Sequence, residues 1–406
     1  MVIMPALNRR DFCLTASSLL AFSARSAPTA NDNAILLTAA EAAQLRQSLQ
    51  HDDAYKAAAS AVAKAADAAL HAGPWSVTTH RPENVPAGPN DYYSEGPYWW
   101  PDPQNPGGPY IRKDGQRYPN RFDSNHKDLA SMSTAVLSLG MGAYFTGDNR
   151  CTGHAATVLS TWFLDPKTLM NPNLQFGQAV RGVNTGRGTG IIDTVSLIHA
   201  AQGVRLLELA GGLDSKLIDG VRRWFADYLR WMTTSKHGLA EKTSGNNHAT
   251  WWTAQVAAFA SLTGDQAALS MAWEQYRTYL VPTEIQPDGS CPREEARTNS
   301  LGYSTMNLDA FAVLCRIAER NGVNLWNFKA PSGVGVATAF RYLIPYLQHP
   351  DTWRKQQISK FNPDGAVFPG LAGLGLHSPE LLAAYRALPR SASPWVQFVD
   401  LLVRAA

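Results

Sequence analysis

The chain has 406 residues, of which 45% are hydrophobic and 17% are charged, and its formal net charge is +3 at pH 7. This composition supports a large buried core and excludes a disordered chain, and so small a charge leaves no footprint for nucleic-acid binding. The four cysteines lack the short paired spacing of a metal site and no His-Glu-x-x-His motif occurs, so neither a metal nor another cofactor is predicted.

The N-terminus has the features of an export signal. Arg9 and Arg10 precede a short apolar run, and the small residues up to Ala30 offer a cleavage zone. The apolar run is too short to span a bilayer. We therefore expect residues 1–30 to be a twin-arginine signal peptide and residues 31–406 to form a single domain. The mature protein would be periplasmic, or secreted, without stable membrane insertion.

Helix signals dominate the rest of the chain. Thr38 and Glu41 form a capping box before an Ala-rich segment that continues to about His71. Short turns rich in glycine and aspartate join the later segments, which suits helical hairpins. Strand-like alternation is scarce, so we predict an all-α fold, either an α/α toroid or a solenoid. Further helices are predicted at about 126–145, 152–163, 193–210, 215–233, 247–262, 266–280, 303–321, 334–347 and 379–387.

Two long regions interrupt the helical pattern. The first extends from Thr78 to Asp123 and the second from Asn171 to Gly190. Long segments without secondary structure are uncommon inside compact domains and are usually functional. The first contains the aromatic run Tyr98-Trp99-Trp100. We therefore expect these regions to form a cleft.

The segment Ser244 to Trp252 is the most informative motif. It places Asn246, Asn247 and His248 at the start of an apolar, helix-like run. Arginines, acids and a tyrosine follow downstream. The residues in that downstream group are Arg293, Glu294, Glu295, Arg297 and Tyr303.

Taken in order, these segments resemble the alginate lyase superfamily of α/α-toroid polysaccharide lyases. The resemblance covers most of residues 85–320 and is closest to the branch that includes glucuronan and polymannuronate lyases. It implies an incomplete barrel of helical hairpins with long cleft-forming loops. It also implies β-elimination in 4-linked uronic-acid polymers, which leaves a C4=C5 unsaturated non-reducing end. The segments that carry it are 98–103, 184–188, 246–252, 287–297 and Tyr303.

The implied chemistry explains why these residue types belong together. The C5 proton of a uronate is a poor acid, because its removal puts charge into a carboxylate that is already an anion. Asn247, His248 and Arg297 could neutralise that carboxylate, as preorganised donors do at an oxyanion. The resemblance assigns both the base at C5 and the acid at O4 to Tyr303. Nearby positive charge would have to help this phenol ionise, since a free tyrosine has a pKa of about 10.

Other residues are predicted to contact the substrate, and most have a structural alternative. Trp99 and Trp100 could be sugar platforms or core, and Asn184 could belong to a simple turn. Asn247 could cap its helix, His126 could be a helix-start residue, and His248, Tyr303 and Arg297 could be structural. The predicted substrate-binding set is Tyr98, Trp99, Trp100, His126, Asn184, Arg187, Asn246 and Arg293.

Two other functional classes remain open. An α/α-barrel glycoside hydrolase would use paired carboxylates, and a non-catalytic periplasmic uronate-binding protein would need only the aromatic residues. The predicted partner is an acidic polysaccharide or oligouronate, and the sequence decides neither the polymer, the endo or exo mode, nor the oligomeric state. At most one disulfide can form in the mature chain. Candidate acids for a hydrolase are Asp102, Glu294, Glu295 and Asp309, and the remaining cysteines are Cys151, Cys291 and Cys315.

Overall fold

A computed structural model describes residues 34–405, so the predicted signal peptide lies outside the described part of the chain. Helices dominate this structure. In chain order they are α1 (Ala39–His51), α2 (Lys56–Leu70), α3 (Ser124–Met141), α4 (Asn149–Phe163), α5 (Leu197–Ala210), α6 (Ser215–Thr234), α7 (Lys236–Lys242), α8 (Asn247–Thr263), α9 (Gln266–Gln275), α10 (Val281–Glu284), α11 (Pro292–Glu295), α12 (Ser300–Arg320), α13 (Val336–Gln348), α14 (Phe368–Gly375), α15 (Pro379–Ala387) and α16 (Pro394–Arg404).

Each predicted helix corresponds to a helix in the structure. The structure differs from the prediction in two ways. The Ala-rich segment contains two helices rather than one, because the Asp52 side chain accepts a hydrogen bond from the Ala54 amide and ends α1. The sequence analysis also missed α7, α10, α11, α14 and α16. The helices α7, α10 and α11 have seven residues or fewer, and α14 is so rich in glycine and apolar residues that it lacks an amphipathic pattern.

The helices form two layers in a ring. The inner helices α3, α5, α8, α12 and α14 contact one another in that order, and α16 contacts both α14 and α3. The predicted α/α toroid is therefore confirmed. The outer helices α2, α4, α6, α9, α13 and α15 each pack against an inner helix.

The backbones of the inner helices α3 and α5 are in contact where the two helices cross. A Cβ atom on Gly140 would lie 2.5 Å from the carbonyl oxygen of Gly203, and one on Gly203 would lie 2.5 Å from that of Val136. With the π-helical turn that follows it, α3 spans Ser124–Thr146 and is long and apolar enough to cross a membrane. However, 78% of its most apolar window is buried inside the protein, which is how a core helix behaves.

Residues 34–38, which precede α1, seal one end of the ring. The Leu36 amide donates to the Gln202 side chain of α5 at 3.0 Å, and Arg316 of α12 donates to the Leu36 carbonyl at 2.9 Å. Asn321, just after α12, donates to the carbonyl of Ala34 at 3.1 Å. The sealed end is thus the one at which α12 ends.

The two long non-helical regions lie together and contain the strands. β1 (Tyr93–Glu95) pairs in parallel with β4 (Phe176–Ala179), which joins the first region to the second. β2 (Trp99–Trp100) pairs antiparallel with β3 (Ile111–Arg112) and forms a hairpin within the first region. These strands hold both regions over the end of the ring at which α12 begins.

The three cysteines in the described part of the chain are free and buried. Burial raises the pKa of the Cys151 thiol to about 11 and also raises the pKa values of Cys291 and Cys315. The sequence allowed one disulfide between two of these cysteines, and no such disulfide is formed among them.

Candidate active site

A cleft of about 460 Å³ opens where several inner helices begin. It is lined by His126 in the first turn of α3, by Asn247 and His248 at the start of α8, and by Tyr303 in the first turn of α12. The N-terminus of a helix carries a partial positive charge and free amide groups. The cleft therefore suits an anionic ligand. Both long regions line it as well, which agrees with their predicted role.

Tyr303 shares a short hydrogen bond with a second tyrosine. Its hydroxyl lies 2.5 Å from that of Tyr98, and either oxygen can be the donor. The guanidinium of Arg297 lies over the Tyr303 ring, with its carbon 3.8 Å from the ring centroid. Burial raises the pKa of Tyr303, as does the Tyr98 contact, while Arg297 opposes both. The resting residue is thus a neutral phenol, and Tyr98 could donate to its oxygen once the proton has left.

Arg297 is already paired with a carboxylate. Its Nε and Nη2 donate to Asp114 at 2.8–3.2 Å, and Thr298 donates to the same carboxylate through its amide and its hydroxyl. Burial acts to raise the pKa of Asp114, but these hydrogen bonds outweigh it and hold the pKa well below its usual range. The pair fixes the guanidinium against Tyr303. It also leaves Arg297 less available for a substrate carboxylate than the sequence suggested.

Asn247 is held from behind by a buried acid. Its backbone amide donates to Glu294 Oε1 at 2.6 Å, and its Nδ2 lies 2.8 Å from both oxygens of that carboxylate. The Oδ1 atom of Asn247 is buried and has no partner among the described residues. The alternative role of helix capping falls to Asn246, whose side chain accepts from the His248 amide at 3.3 Å.

His248 has an equally close acidic partner. Its Nδ1 lies 2.6 Å from Oε1 of Glu241, and only 3% of the Glu241 side chain is exposed. Burial acts to lower the pKa of His248, but the charge and hydrogen bond of Glu241 outweigh it, so the pKa is raised. His248 therefore tends to stay protonated beyond the range of an ordinary histidine.

Arg187 and Trp99 also line the cleft. The guanidinium carbon lies 5.7 Å from the Trp99 ring centroid, and its nitrogens donate to the carbonyl and the side chain of Gln178. No carboxylate forms an ion pair with Arg187 within residues 34–405. Gln178 has a φ of 49° and is anchored by Asp193, which suggests that strain is tolerated here to place the arginine.

Three predicted contact residues lie outside this cleft. Successive strand residues face opposite ways, so Trp100 turns from the cleft, packs on Tyr118 and donates to the carbonyl of Gln116. Asn184 lines a neighbouring cavity of about 740 Å³. Arg293 donates to the carbonyl of Ser244 at 2.8 Å. Trp100 and Arg293 are thus satisfied by structural contacts, whereas Oδ1 of Asn184 is buried without a hydrogen-bond partner among the described residues.

The supporting acids could not be found from the sequence. Asp114 lies just after β3, and Glu241 lies on α7, a helix that was not predicted. Glu294 was noted within the polar group downstream of the motif and as a possible hydrolase acid, but not as the partner of Asn247, which lies 47 residues away. The only signal in the sequence for Glu294 was its position in the polar segment that precedes Arg297.

The carboxylates that line the cleft are all committed to other groups. Glu95 pairs with Arg181, Asp123 with Arg121, and Glu241 with His248. Asp193 accepts from Tyr92, Ser94 and Gln178. Of the acids suggested for a hydrolase, Asp309 is buried and accepts from the amides that begin α14. No free pair for glycoside hydrolysis exists in the described cleft.

Comparison with known proteins finds alginate lyases. The alginate lyase family profile matches residues 76–353. An alginate lyase from Bacteroides ovatus is 32% identical, has a TM-score of 0.84, and aligns over 92% of this chain and 99% of its own.

More distant relatives share the fold. Alginate lyase A1-III from Sphingomonas species A1 is 18% identical with a TM-score of 0.52, over 84% of this chain and 88% of its own. A variant of alginate lyase A1-III, complexed with a tetrasaccharide, gives 17% identity and a TM-score of 0.54 over the same shares. No curated protein sequence matched the chain. With two thirds of its length matched by the family profile, the chain belongs to the alginate lyase family of polysaccharide lyases.

Proposed function

We propose that the protein cleaves 4-linked polymers of mannuronate, as in alginate, or of glucuronate, as in glucuronan, by β-elimination. The observation that carries this proposal is the convergence of Tyr303, Asn247 and His248 on one cleft at the N-termini of the inner helices. The relatives described above are alginate lyases, and one was solved with a tetrasaccharide. Extension to glucuronan rests on the resemblance of segments 98–103 and 184–188.

The proposed reaction needs one proton acceptor, one proton donor and a neutralised carboxylate. His248 and the start of α8 stabilise the carboxylate as charge develops on it. After its hydroxyl proton has been lost to solvent, Tyr303 takes the C5 proton as a phenolate. The electron pair of the C5–H bond forms the C4=C5 bond, and the C4–O4 bond breaks. The proton then passes from Tyr303 to O4, so no proton is gained or lost overall. Tyr98 would stabilise the phenolate by donating its hydroxyl hydrogen.

The rest of the cleft supports substrate binding in this proposal. Arg187 offers a cation that forms no ion pair among the described residues, and Trp99 beside it offers an apolar surface of the kind on which a sugar ring stacks. A single residue that serves as base and acid requires C5–H and O4 to lie on one face of the sugar. Mannuronate and glucuronate meet this requirement, so we propose them ahead of guluronate.

A screen of uronate polymers tests the proposal. Purified protein is incubated with polymannuronate, polyguluronate, mixed alginate and glucuronan, and the near-ultraviolet absorbance of the C4=C5 product is followed. Absorbance with polymannuronate or glucuronan is expected. New reducing ends without absorbance would instead indicate a hydrolase. Binding of oligouronates without either signal would indicate a binding protein.

We also propose that the protein is exported to the periplasm by the twin-arginine route. The proposal rests on Arg9 and Arg10 and on the short apolar run that follows them. Changing both arginines to lysine should leave the full-length protein in the cytoplasmic fraction. Unchanged periplasmic recovery of this double variant would contradict the proposed route.

A further inference from the structure

Glu241 is a buried carboxylate in the wall of the cleft. A buried charge is stable only when it is paired or hydrogen-bonded, and Nδ1 of His248 at 2.6 Å meets this need. The helix that carries Glu241 is rigidly supported. A Cβ on Gly238 would lie 1.8 Å from the carbonyl oxygen of Met232, and Ser235 caps the first turn. The acid is therefore presented to His248 by a fixed support.

The contact with Glu241 divides the two ring nitrogens of His248 between two roles. Nδ1 carries the proton shared with Glu241, because a carboxylate can only accept. Nε2 has no hydrogen-bond partner within the described chain, and 16% of the side chain remains exposed, in the cleft. In a neutral ring of this tautomer, Nε2 carries a lone pair and can only accept a hydrogen bond. In the imidazolium, Nε2 carries a proton and donates. Only the donor can bind a uronate carboxylate.

The charges around His248 favour the imidazolium. Glu241 on α7 and Glu294 on α11 are negative, and Arg297 is the positive group that opposes them. Burial acts to lower the pKa of His248, and the two acids more than offset burial and Arg297 together. Other titratable or charged groups around the same helix start or lining the same cleft include His126, Arg187, Asp193, Glu284, Arg293 and Tyr303.

We propose that Glu241 is a positioning residue that keeps His248 as an imidazolium, with its Nε2–H directed into the cleft to neutralise the substrate carboxylate. This inference rests on the proposed function of the same cleft. A protonated His248 cannot take the C5 proton, so the role of base is left to Tyr303. Glu241 thereby restricts the enzyme to uronates whose C5–H and O4 share one face.

Histidine side-chain ¹H–¹⁵N NMR of the ligand-free protein tests the proposal. Wild type, Glu241→Gln and the control Glu208→Gln are titrated, and the signal absent from His248→Gln identifies His248. Glu208 is a matched buried acid that pairs with Arg222 away from the cleft. We expect wild-type His248 to titrate above the ordinary value, Glu241→Gln to lower its pKa by about one unit or more, and Glu208→Gln to leave it unchanged.

Glu241→Asp adds a second variant that keeps the charge and should titrate closer to wild type than Glu241→Gln does. The proposal is overturned if Glu241→Gln titrates like wild type. It is also overturned if wild-type His248 titrates at or below an ordinary histidine, a measurement that needs no variant to fold.

A binding measurement keeps this inference separate from the proposed function. In a Tyr303→Phe background, calorimetry follows the affinity for a saturated mannuronate oligomer across pH. Affinity should decline as His248 loses its proton, and Glu241→Gln should move that decline to lower pH by the shift seen in NMR. An absence of uronate binding at any pH would sink the proposed function, while the NMR titration alone would still decide the state of His248.

Discussion

At the scale of single residues, the site is a set of functional groups each held by a second residue. Tyr303 has Tyr98 and Arg297, Asn247 has Glu294, and His248 has Glu241. Such supporting contacts lock rotamers and protonation states, and catalysis depends on both. The residues with the strongest effect on turnover should therefore include several that never touch the sugar.

Tyr303→Phe should abolish turnover while leaving the fold intact. The change removes base and acid together, and each role is typically worth about 10² to 10⁴-fold in rate. The lost hydrogen bond to Tyr98 should lower the free energy of unfolding by only about 1 kcal/mol. Single-turnover formation of unsaturated product measures the chemistry directly, with Tyr346→Phe on outer helix α13 as the control. Substantial product from folded Tyr303→Phe would overturn its assignment.

Arg297→Lys should lower kcat by about 10- to 100-fold. A lysine cannot bond both oxygens of Asp114 in the same planar geometry, nor stack on the Tyr303 ring, and a lost charge-assisted hydrogen bond is worth about 1.5–3 kcal/mol. Steady-state kinetics on the best polymer measure the effect. Arg222→Lys on outer helix α6, which disturbs an ion pair with Glu208 of α5, is the control. Equal kcat and KM for Arg297→Lys and wild type would make the residue structural.

At the scale of elements, the position of the site depends on how closely the inner helices pack. The crossing of α3 and α5 at Gly140 and Gly203 brings two backbones into contact, and the start of α3 carries His126 into the cleft. A side chain at this crossing would push the two helices apart. The close approach therefore links core packing to the geometry of the cleft.

Gly203→Ala should destabilise the protein. Its new methyl group would lie 2.5 Å from the Val136 carbonyl oxygen, so both helices must shift, at a cost of about 1–3 kcal/mol. Gly153→Ala on α4 is the matched control, since nothing lies within 4 Å of its added Cβ. The control should be neutral or stabilising by up to about 1 kcal/mol. Denaturant unfolding compares the two, and a Gly203→Ala midpoint at or above wild type would contradict this account.

The elements also explain how far sequence reasoning could reach. The long helices were predicted because capping residues and apolar runs are local signals, as for α8, although its cap is Asn246 and not Asn247, which the sequence offered for that role. The motif from Asn246 to His248 was found for the same reason. Glu241 and Asp114 were not, because their roles arise from contacts with His248 and Arg297 that the fold alone creates.

At the scale of the whole molecule, the ring has one open and one sealed end. The cleft occupies the end at which α12 begins, and residues 34–38 with α1 cover the end at which α12 finishes. Glu41 on α1 links residues 34–38 to α12 at this sealed end. It accepts from the amide of Thr38 in the predicted capping box and forms ion pairs with Arg316 and Arg320.

Glu41→Gln should lower the free energy of unfolding at neutral pH by about 1 kcal/mol, since the side chain is one-third exposed and solvent screens its ion pairs. Burial acts to raise the pKa of Glu41, but Arg316, Thr38 and Arg320 lower it overall. The stabilisation is thus present above the ordinary glutamate pKa of about 4.5 and lost as the pH falls through the lower folded value. The gap between variant and wild type should close in acid.

Urea unfolding at neutral and acid pH measures this gap. Asp53→Asn is the control, because Asp53 forms a highly exposed pair with Lys56 at 2.8 Å. The control should stay within error of wild type at both pH values. A Glu41→Gln deficit that does not shrink in acid would argue against an ionic contribution.

The seal also constrains the order in which the chain folds during synthesis. The native hydrogen bonds of Leu36 cannot form until Gln202, 166 residues later, and Arg316, 280 residues later, have been synthesised. Its partners on α12 therefore leave the ribosome long after Leu36 does. Closing such a distant contact is slow relative to helix formation. The nascent chain therefore carries this apolar segment without its native partners through most of translation.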